Sequence, residues 1–148
     1  TVHVPLDTVV ETLLDEVTLR PGFHELVARH DPLILSSGFE ELIRPILERE
    51  QIEARLVANR IDARPEGWRV LWRDRARCKV CDDTCKRSGL PPGPLVYVGD
   101  GYSDRCPSLA ADRIFARDDL AAYLGRHRVR FETFDDLHAV NAALNRTR

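Results

Sequence analysis

Methionine is absent from all 148 residues, and the chain opens on Thr1. A translated chain needs an initiator, so the expectation is that the written start is processed or truncated, with truncation the preferred reading. No apolar stretch approaches membrane-spanning length and none has the layout of a signal peptide, so a membrane partner is not expected. Charge of one sign is lacking too. Lys and Arg total 22 against 24 Asp and Glu, a formal net charge of −2, which excludes a global basic field for nucleic acid. The local basic run Arg69 to Arg77 is broken by Trp72 and Asp74 and reads as a solvated strand or loop. Cysteine is scarce: Cys78, Cys81, Cys85 and Cys106. Three of them crowd into eight residues, a poor disulfide framework, so a reduced, cytoplasmic setting is expected. The five histidines (His3, His24, His30, His127 and His138) have no ligand spacing, and no repeat or low-complexity tract is present.

What is there is ordinary for a soluble globular domain: 43% apolar and 31% charged residues, with enough chain for one core. Asp7 is placed to cap a helix through Val9, Val10, Leu13, Leu14 and Val17, which Arg20-Pro21-Gly22 breaks. A second helix runs from Phe23 to near His30. Pro32 to Leu35 is a short apolar strand leading into a turn at Ser36-Ser37-Gly38, and Glu40 to Glu50 is helical, with Pro45 marking its first turn or a kink. Ile52 to Ile61 and Trp68 to Trp72 read as a β-hairpin around Asp62 to Gly67. After the cysteines and an irregular Leu90 to Pro94, the wholly apolar Leu95 to Val98 has the character of a central parallel strand. Ser108 to Ala111 suits a helix, Arg113 to Ala116 a strand, Asp118 to Arg126 a helix, Arg130 to Phe134 an edge strand and Asp135 to Leu144 a closing helix. Helices alternating with short buried strands predict an α/β domain with a parallel sheet.

In such sheets ligands gather at the carboxyl ends of strands, and two strand ends are chemically loaded. At Leu33 to Phe39 a hydroxyl, Ser36, is followed by backbone N–H groups entering a helix, an arrangement that can hold a phosphate oxygen; by itself a helix-capping serine is the simpler account. At Val96 to Asp104 an apolar strand delivers Asp100 onto a glycine-flanked loop, and Asp104 follows four residues on. Hard cations such as Mg2+ take one or two carboxylates and leave positions for water and phosphate. A solvated turn is the alternative, but two carboxylates directly after a buried strand favour the metal reading.

Taken together, the two loops resemble motifs II and IV of the haloacid dehalogenase (HAD) superfamily. Ser36-Ser37-Gly38-Phe39 is similar to the serine-bearing turn of phosphoserine phosphatases and their methylthiopentenyl-phosphate phosphatase relatives. Gly99-Asp100-Gly101-Tyr102-Ser103-Asp104 matches the GDxxxD motif of the same group. Val57-Ala58-Asn59-Arg60 followed by Gly67 resembles the hairpin after motif II, and Arg20-Pro21-Gly22 the return from the helical cap to the core. The resemblance implies an α/β, HAD-like Rossmannoid core over 20–148 with a hairpin at about 52–72, and a remnant of the helical cap with its return linker over 1–19. It implies Mg2+-dependent hydrolysis of a small phosphomonoester through an aspartyl-phosphate, in which a DxDx[TV] motif supplies nucleophile and acid/base. That motif is absent: the early aspartates, Asp7 and Asp15, lie in a helical pattern. The expectation is that the first strand and most of the cap lie outside the given residues, and that this chain alone is inactive.

Within that resemblance Ser36 and Ser37 would bind phosphate, Asp100 would ligate Mg2+, and Asp104 would orient the metal's water or the lysine. The motif III lysine is Lys86 or Lys79, both directly after a cysteine; Lys86 is preferred because the first turn of a helix follows it. The partner expected is a small phosphorylated metabolite, with neither nucleic acid nor membrane, and a homodimer stands open as the assembly. Two other readings compete: a non-catalytic phosphate-binding module, and an interaction domain stabilised by zinc on Cys78, Cys81 and Cys85 with Cys106 or a histidine as fourth ligand. Because no second C-x2-C or H-x3-H follows, reduced structural thiols without stoichiometric zinc are expected.

Overall fold

The computed structural model describes residues 2–146. The chain divides into two compact units, one ending at Arg75 and the other starting at Ala76.

In the first unit α1 (Leu6–Glu16) and α2 (Phe23–His30) precede β1 (Leu33–Phe39), α3 (Glu40–Arg49), β2 (Arg55–Asp62) and β3 (Arg69–Leu71). β1 lies parallel to β2, with Leu33 beside Arg55 and Leu35 beside Val57, and α3 makes the crossover that a parallel pair requires. β3 returns antiparallel to β2, Arg60 facing Leu71. Asp7 is not the cap of α1. Pro5 occupies that position and Asp7 sits in the first turn, where its negative charge suits the positive end of the helix. Two carbonyls at the other end of α1, those of Leu14 and Val17, accept from the Arg49 guanidinium of α3, the second at 2.8 Å. Such carbonyls have no partner inside their own helix, so Arg49 both satisfies them and ties α1 to α3. Pro45 is the sixth residue of α3 rather than part of its first turn, so the helix forgoes one N–H bond there. Leu26, Leu47, Ala58 and Ile61 are buried.

In the second unit a 3-10 turn at Lys86–Gly89 leads to β4 (Val96–Gly99), a 3-10 turn at Tyr102–Asp104, α4 (Arg105–Ser108), β5 (Arg113–Ala116), α5 (Asp118–Arg126), β6 (Glu132–Thr133) and α6 (Leu137–Asn145). β4, β5 and β6 form a parallel sheet in that order. Its core joins Ile114 and Ala116 of β5 to Leu120 and Leu124 of α5, with Tyr123, Val129 and Phe131 against them. Asp136 caps α6 by accepting from the Ala139 N–H at 3.1 Å. The helix expected at Ser108 to Ala111 lies earlier, because the Tyr102–Asp104 turn runs straight into Arg105. The last strand is two residues long, not five. The architecture is α/β with parallel strands joined by helices. Among the described residues no helix is long and apolar enough to cross a membrane.

Candidate active site

The loop after β4 is organised by Asp104, which is only 5% exposed. Its Oδ1 accepts from the Lys86 Nζ at 2.6 Å and from the Tyr97 hydroxyl at 2.8 Å. Its Oδ2 accepts from the backbone N–H groups of Asp100 at 3.1 Å and Gly101 at 3.0 Å. The spacing in GDxxxD follows from this: four residues let the second aspartate fold back beneath the first. The glycine ahead of them is a matter of space. A Cβ on Gly99 would lie 2.8 Å from the Asp104 Cγ, closer than real contacts allow.

Burial alone would raise the Asp104 carboxyl. The Lys86 ammonium, the Gly101 N–H and the Tyr97 hydroxyl outweigh it and hold the group below the usual carboxylate range, so it is ionised at neutral pH. Tyr97 moves the other way. Burial, and then the negative charge of Asp104, push its phenol up, so it stays a neutral donor. Both oxygens of Asp104 are thus taken by protein donors. Asp100, at the carboxyl end of β4, is exposed. A hard carboxylate at the mouth of a parallel sheet fits Mg2+, and Asp100 is the residue here that would hold it.

Of the two candidate lysines, Lys86 is the one that meets Asp104; the Asp104 side chain is buried and that of Lys86 is largely so, 11% exposed. Lys79 is exposed. Lys86 opens the 3-10 turn Lys86–Gly89, whose first N–H groups are steadied by Cys85: the Arg87 N–H points at the Cys85 sulfur, 3.4 Å away.

In the first unit, Ser36-Ser37-Gly38 is extended rather than a turn. These three residues oppose the single residue Ala58 on β2, since Leu35 pairs with Val57 and Phe39 with Asn59. Such a bulge re-aims side chains at a strand end. The Ser36 Oγ accepts from the Gly38 N–H at 3.0 Å, and Ser37 is exposed. Asn59, buried on β2, was not singled out from the sequence as a site residue. Its Nδ2 donates to the Ser37 carbonyl at 3.0 Å and its Oδ1 accepts from the Arg73 N–H at 3.1 Å, fixing the serine-bearing bulge to the hairpin. Tyr97 was also missed. The signal available was a lone phenol in an otherwise apolar buried run, which needs a partner for its hydroxyl.

The cysteines gather. The sulfurs of Cys78, Cys81, Cys85 and Cys106 all lie within 4.8 Å of one another, and none is in a disulfide. The N–H groups of Cys81 and Val80 hold the Cys78 thiol down to about 6, whereas burial pushes Cys85 up to about 12 and raises Cys106.

The profile of the haloacid dehalogenase-like hydrolases matches residues 3–106. Pdp3-interacting factor 1 of Schizosaccharomyces pombe is 31% identical over 158 aligned positions, covering 93% of this chain and 69% of that protein. Two proteins named 2-hydroxy-3-keto-5-methylthiopentenyl-1-phosphate phosphatase are also similar. The one from an Exiguobacterium species is 30% identical over 152 positions, covering 91% of this chain and 69% of its own length; the one from Bacillus mycoides is 25% identical over 155 positions, covering 93% and 68%. The chain therefore spans roughly two thirds of these relatives. With Gly99, the Asp100 N–H and Lys86 gathered around Asp104 at the end of a parallel strand, and with that profile running from residue 3 to residue 106, the chain belongs to the haloacid dehalogenase-like hydrolase family.

Proposed function

We propose that this chain is the core of a Mg2+-dependent phosphatase acting on a small phosphomonoester. The observation that carries the reading is the part-buried Lys86–Asp104 pair, set directly behind the exposed Asp100 at the end of β4. A lysine fixed by a buried carboxylate, beside an exposed carboxylate, is suited to transferring a phosphoryl group, whose transition state needs charge neutralisation. In this reading Lys86 places its ammonium against a phosphate oxygen and Asp104 positions Lys86. Asp100 contributes to the Mg2+ site, and the bound ion supplies further charge neutralisation. Ser36 donates its hydroxyl to a phosphate oxygen, with Ser37 beside it. In this chemistry an attacking carboxylate oxygen forms a bond to phosphorus as the ester P–O bond breaks and the alcohol departs; the DxDx[TV] motif that would carry that carboxylate does not occur among these 148 residues. A water then cleaves the aspartyl-phosphate to release inorganic phosphate. The names of the methylthiopentenyl-phosphate phosphatase relatives support a small phosphorylated metabolite as the substrate class.

The test is turnover of p-nitrophenyl phosphate with Mg2+ by a version extended upstream, alongside the 148-residue chain. The extended protein is expected to turn over, Lys86→Met to lower kcat by about 100-fold or more, and the 148-residue chain to be silent. A Lys86→Met variant with undiminished kcat sinks the reading. An extended protein that binds phosphate without hydrolysing any ester points to a binding module instead.

A further inference from the structure

We propose that Cys78, Cys81, Cys85 and Cys106 form a closed tetrathiolate site for one Zn2+ ion, which clamps the lysine-bearing turn to the aspartate-bearing loop. The proposal is independent of the phosphatase reading, because it rests on the cysteines alone.

Four thiolates at a Zn–S distance of about 2.3 Å around a tetrahedral ion place their sulfurs about 3.8 Å apart. The Cys78 and Cys106 sulfurs are 3.8 Å apart, and every pair in the cluster lies within 4.8 Å. That is far beyond the ~2.05 Å of a disulfide, and one cation at the centre of the four would reach all of them. The sequence expectation of no stoichiometric zinc rested on the lack of a clear fourth ligand. Cys106 supplies it from α4.

The surrounding backbone is built for bound sulfur. Asp82 takes a left-handed φ of 53°, and its N–H donates to the Cys78 carbonyl at 2.8 Å. The Cys78 N–H donates in return to the Asp83 carbonyl at 2.9 Å, so the C-x2-C segment closes into a tight knuckle. The Val80 N–H points at the Cys78 sulfur at 3.5 Å and the Arg87 N–H at the Cys85 sulfur at 3.4 Å. Four thiolates on a divalent ion leave net negative charge, and the Arg87 guanidinium lies against it: Nη1 is 2.9 Å from the Cys106 carbonyl and 4.0 Å from its sulfur. With four protein ligands there is no open position, so the ion is structural rather than catalytic, and any thiol proton is released to solvent as it binds. Sulfur-only tetrahedral sites select zinc or iron, and zinc is the non-redox choice for a structural clamp.

The placement gives the ion its use. Cys85 immediately precedes Lys86, and Cys106 follows Asp104 by two residues. An ion holding both cysteines holds the two 3-10 turns whose side chains, Lys86 and Asp104, meet in the ion pair.

The experiment uses the 148-residue chain purified in reductant without chelator. Elemental analysis is expected to give equimolar zinc, and Ellman's reagent to find the four thiols protected until a mercurial releases the metal. Exchange into Co2+ is expected to give sulfur-to-cobalt charge-transfer and intense visible ligand-field bands, and Cys106→Ser to lose most of the zinc. Should Cys106→Ser not fold, the cobalt spectrum of the unaltered chain still decides. Four thiols that react freely with no metal to release, cysteines paired as disulfides, equimolar iron in place of zinc, or a cobalt spectrum without charge-transfer bands would each overturn the proposal.

Discussion

Lys86 and Asp104 meet at 2.6 Å with side chains only 11% and 7% exposed, and the same carboxylate oxygen that accepts from the ammonium also accepts from the Tyr97 hydroxyl. Deleting one partner strands the other in a site that water reaches only in part. Asp104→Leu is expected to destabilise the protein by roughly 3–5 kcal/mol, because it leaves an ammonium, a phenol and two N–H groups without their acceptor. The double variant Lys86→Met/Asp104→Leu should lose less than Asp104→Leu alone. Urea unfolding of the variants measures both, and a double variant weaker than the Asp104→Leu single would contradict the stranded-charge account.

The same carboxylate sets an acid limit. Its folded pKa is depressed, so its contribution to stability is complete above the unfolded-state value, about 3.9, and is lost as pH falls through the lower folded value. Lys86→Met removes one of the groups that lower it. The acid-unfolding midpoint of that variant, followed by circular dichroism, is expected to move to higher pH. An unchanged midpoint would mean Lys86 does not hold the carboxylate down.

Gly99 and Gly101 flank the same aspartate and should respond differently. A methyl on Gly99 would sit 2.8 Å from the Asp104 Cγ, whereas on Gly101 the nearest atom would be 3.9 Å away. Gly99→Ala is expected to destabilise by about 1–3 kcal/mol through overpacking, and Gly101→Ala by clearly less. Denaturant midpoints of the two variants check the order.

Asn59 should matter more than its place in a hairpin suggests. Asn59→Ala leaves the Ser37 carbonyl and the Arg73 N–H without their partner, a cost of about 1–3 kcal/mol where such groups are buried. In the upstream-extended protein the variant is expected to raise KM for p-nitrophenyl phosphate, since the serine bulge loses its tie to β2. A KM equal to that of the parent would separate Asn59 from the substrate site.

Much of this was legible where local pattern and tertiary demand agree. Arg113–Ala116 and Asp118–Arg126 form the strand and helix read from their sequence, because a buried apolar run is followed at once by Asp118 and Asp119 at a helix start. Local pattern failed where a distant group decides the backbone. The helix at Arg105–Ser108 begins where it does because Asp104 is drawn back by donors from Lys86 and Tyr97. The choice between Lys79 and Lys86 could not be made by counting residues to Asp100; it is made by which ammonium reaches Asp104. The cysteine cluster was half visible, as C-x2-C-x3-C, but its fourth member stands 28 residues from Cys78, on a short helix that only the fold brings close.

The backbone around Asp100 also has a consequence for hydrogen exchange. Asp100 itself is exposed, yet its amide hydrogen and that of Gly101 point inward to a carboxylate that water scarcely reaches. Amides on such a loop would ordinarily trade their hydrogens with solvent in the fastest class. These two can do so only when the loop opens far enough to release Asp104, so their deuterium uptake reports the opening of the ion pair rather than the mobility of the surface.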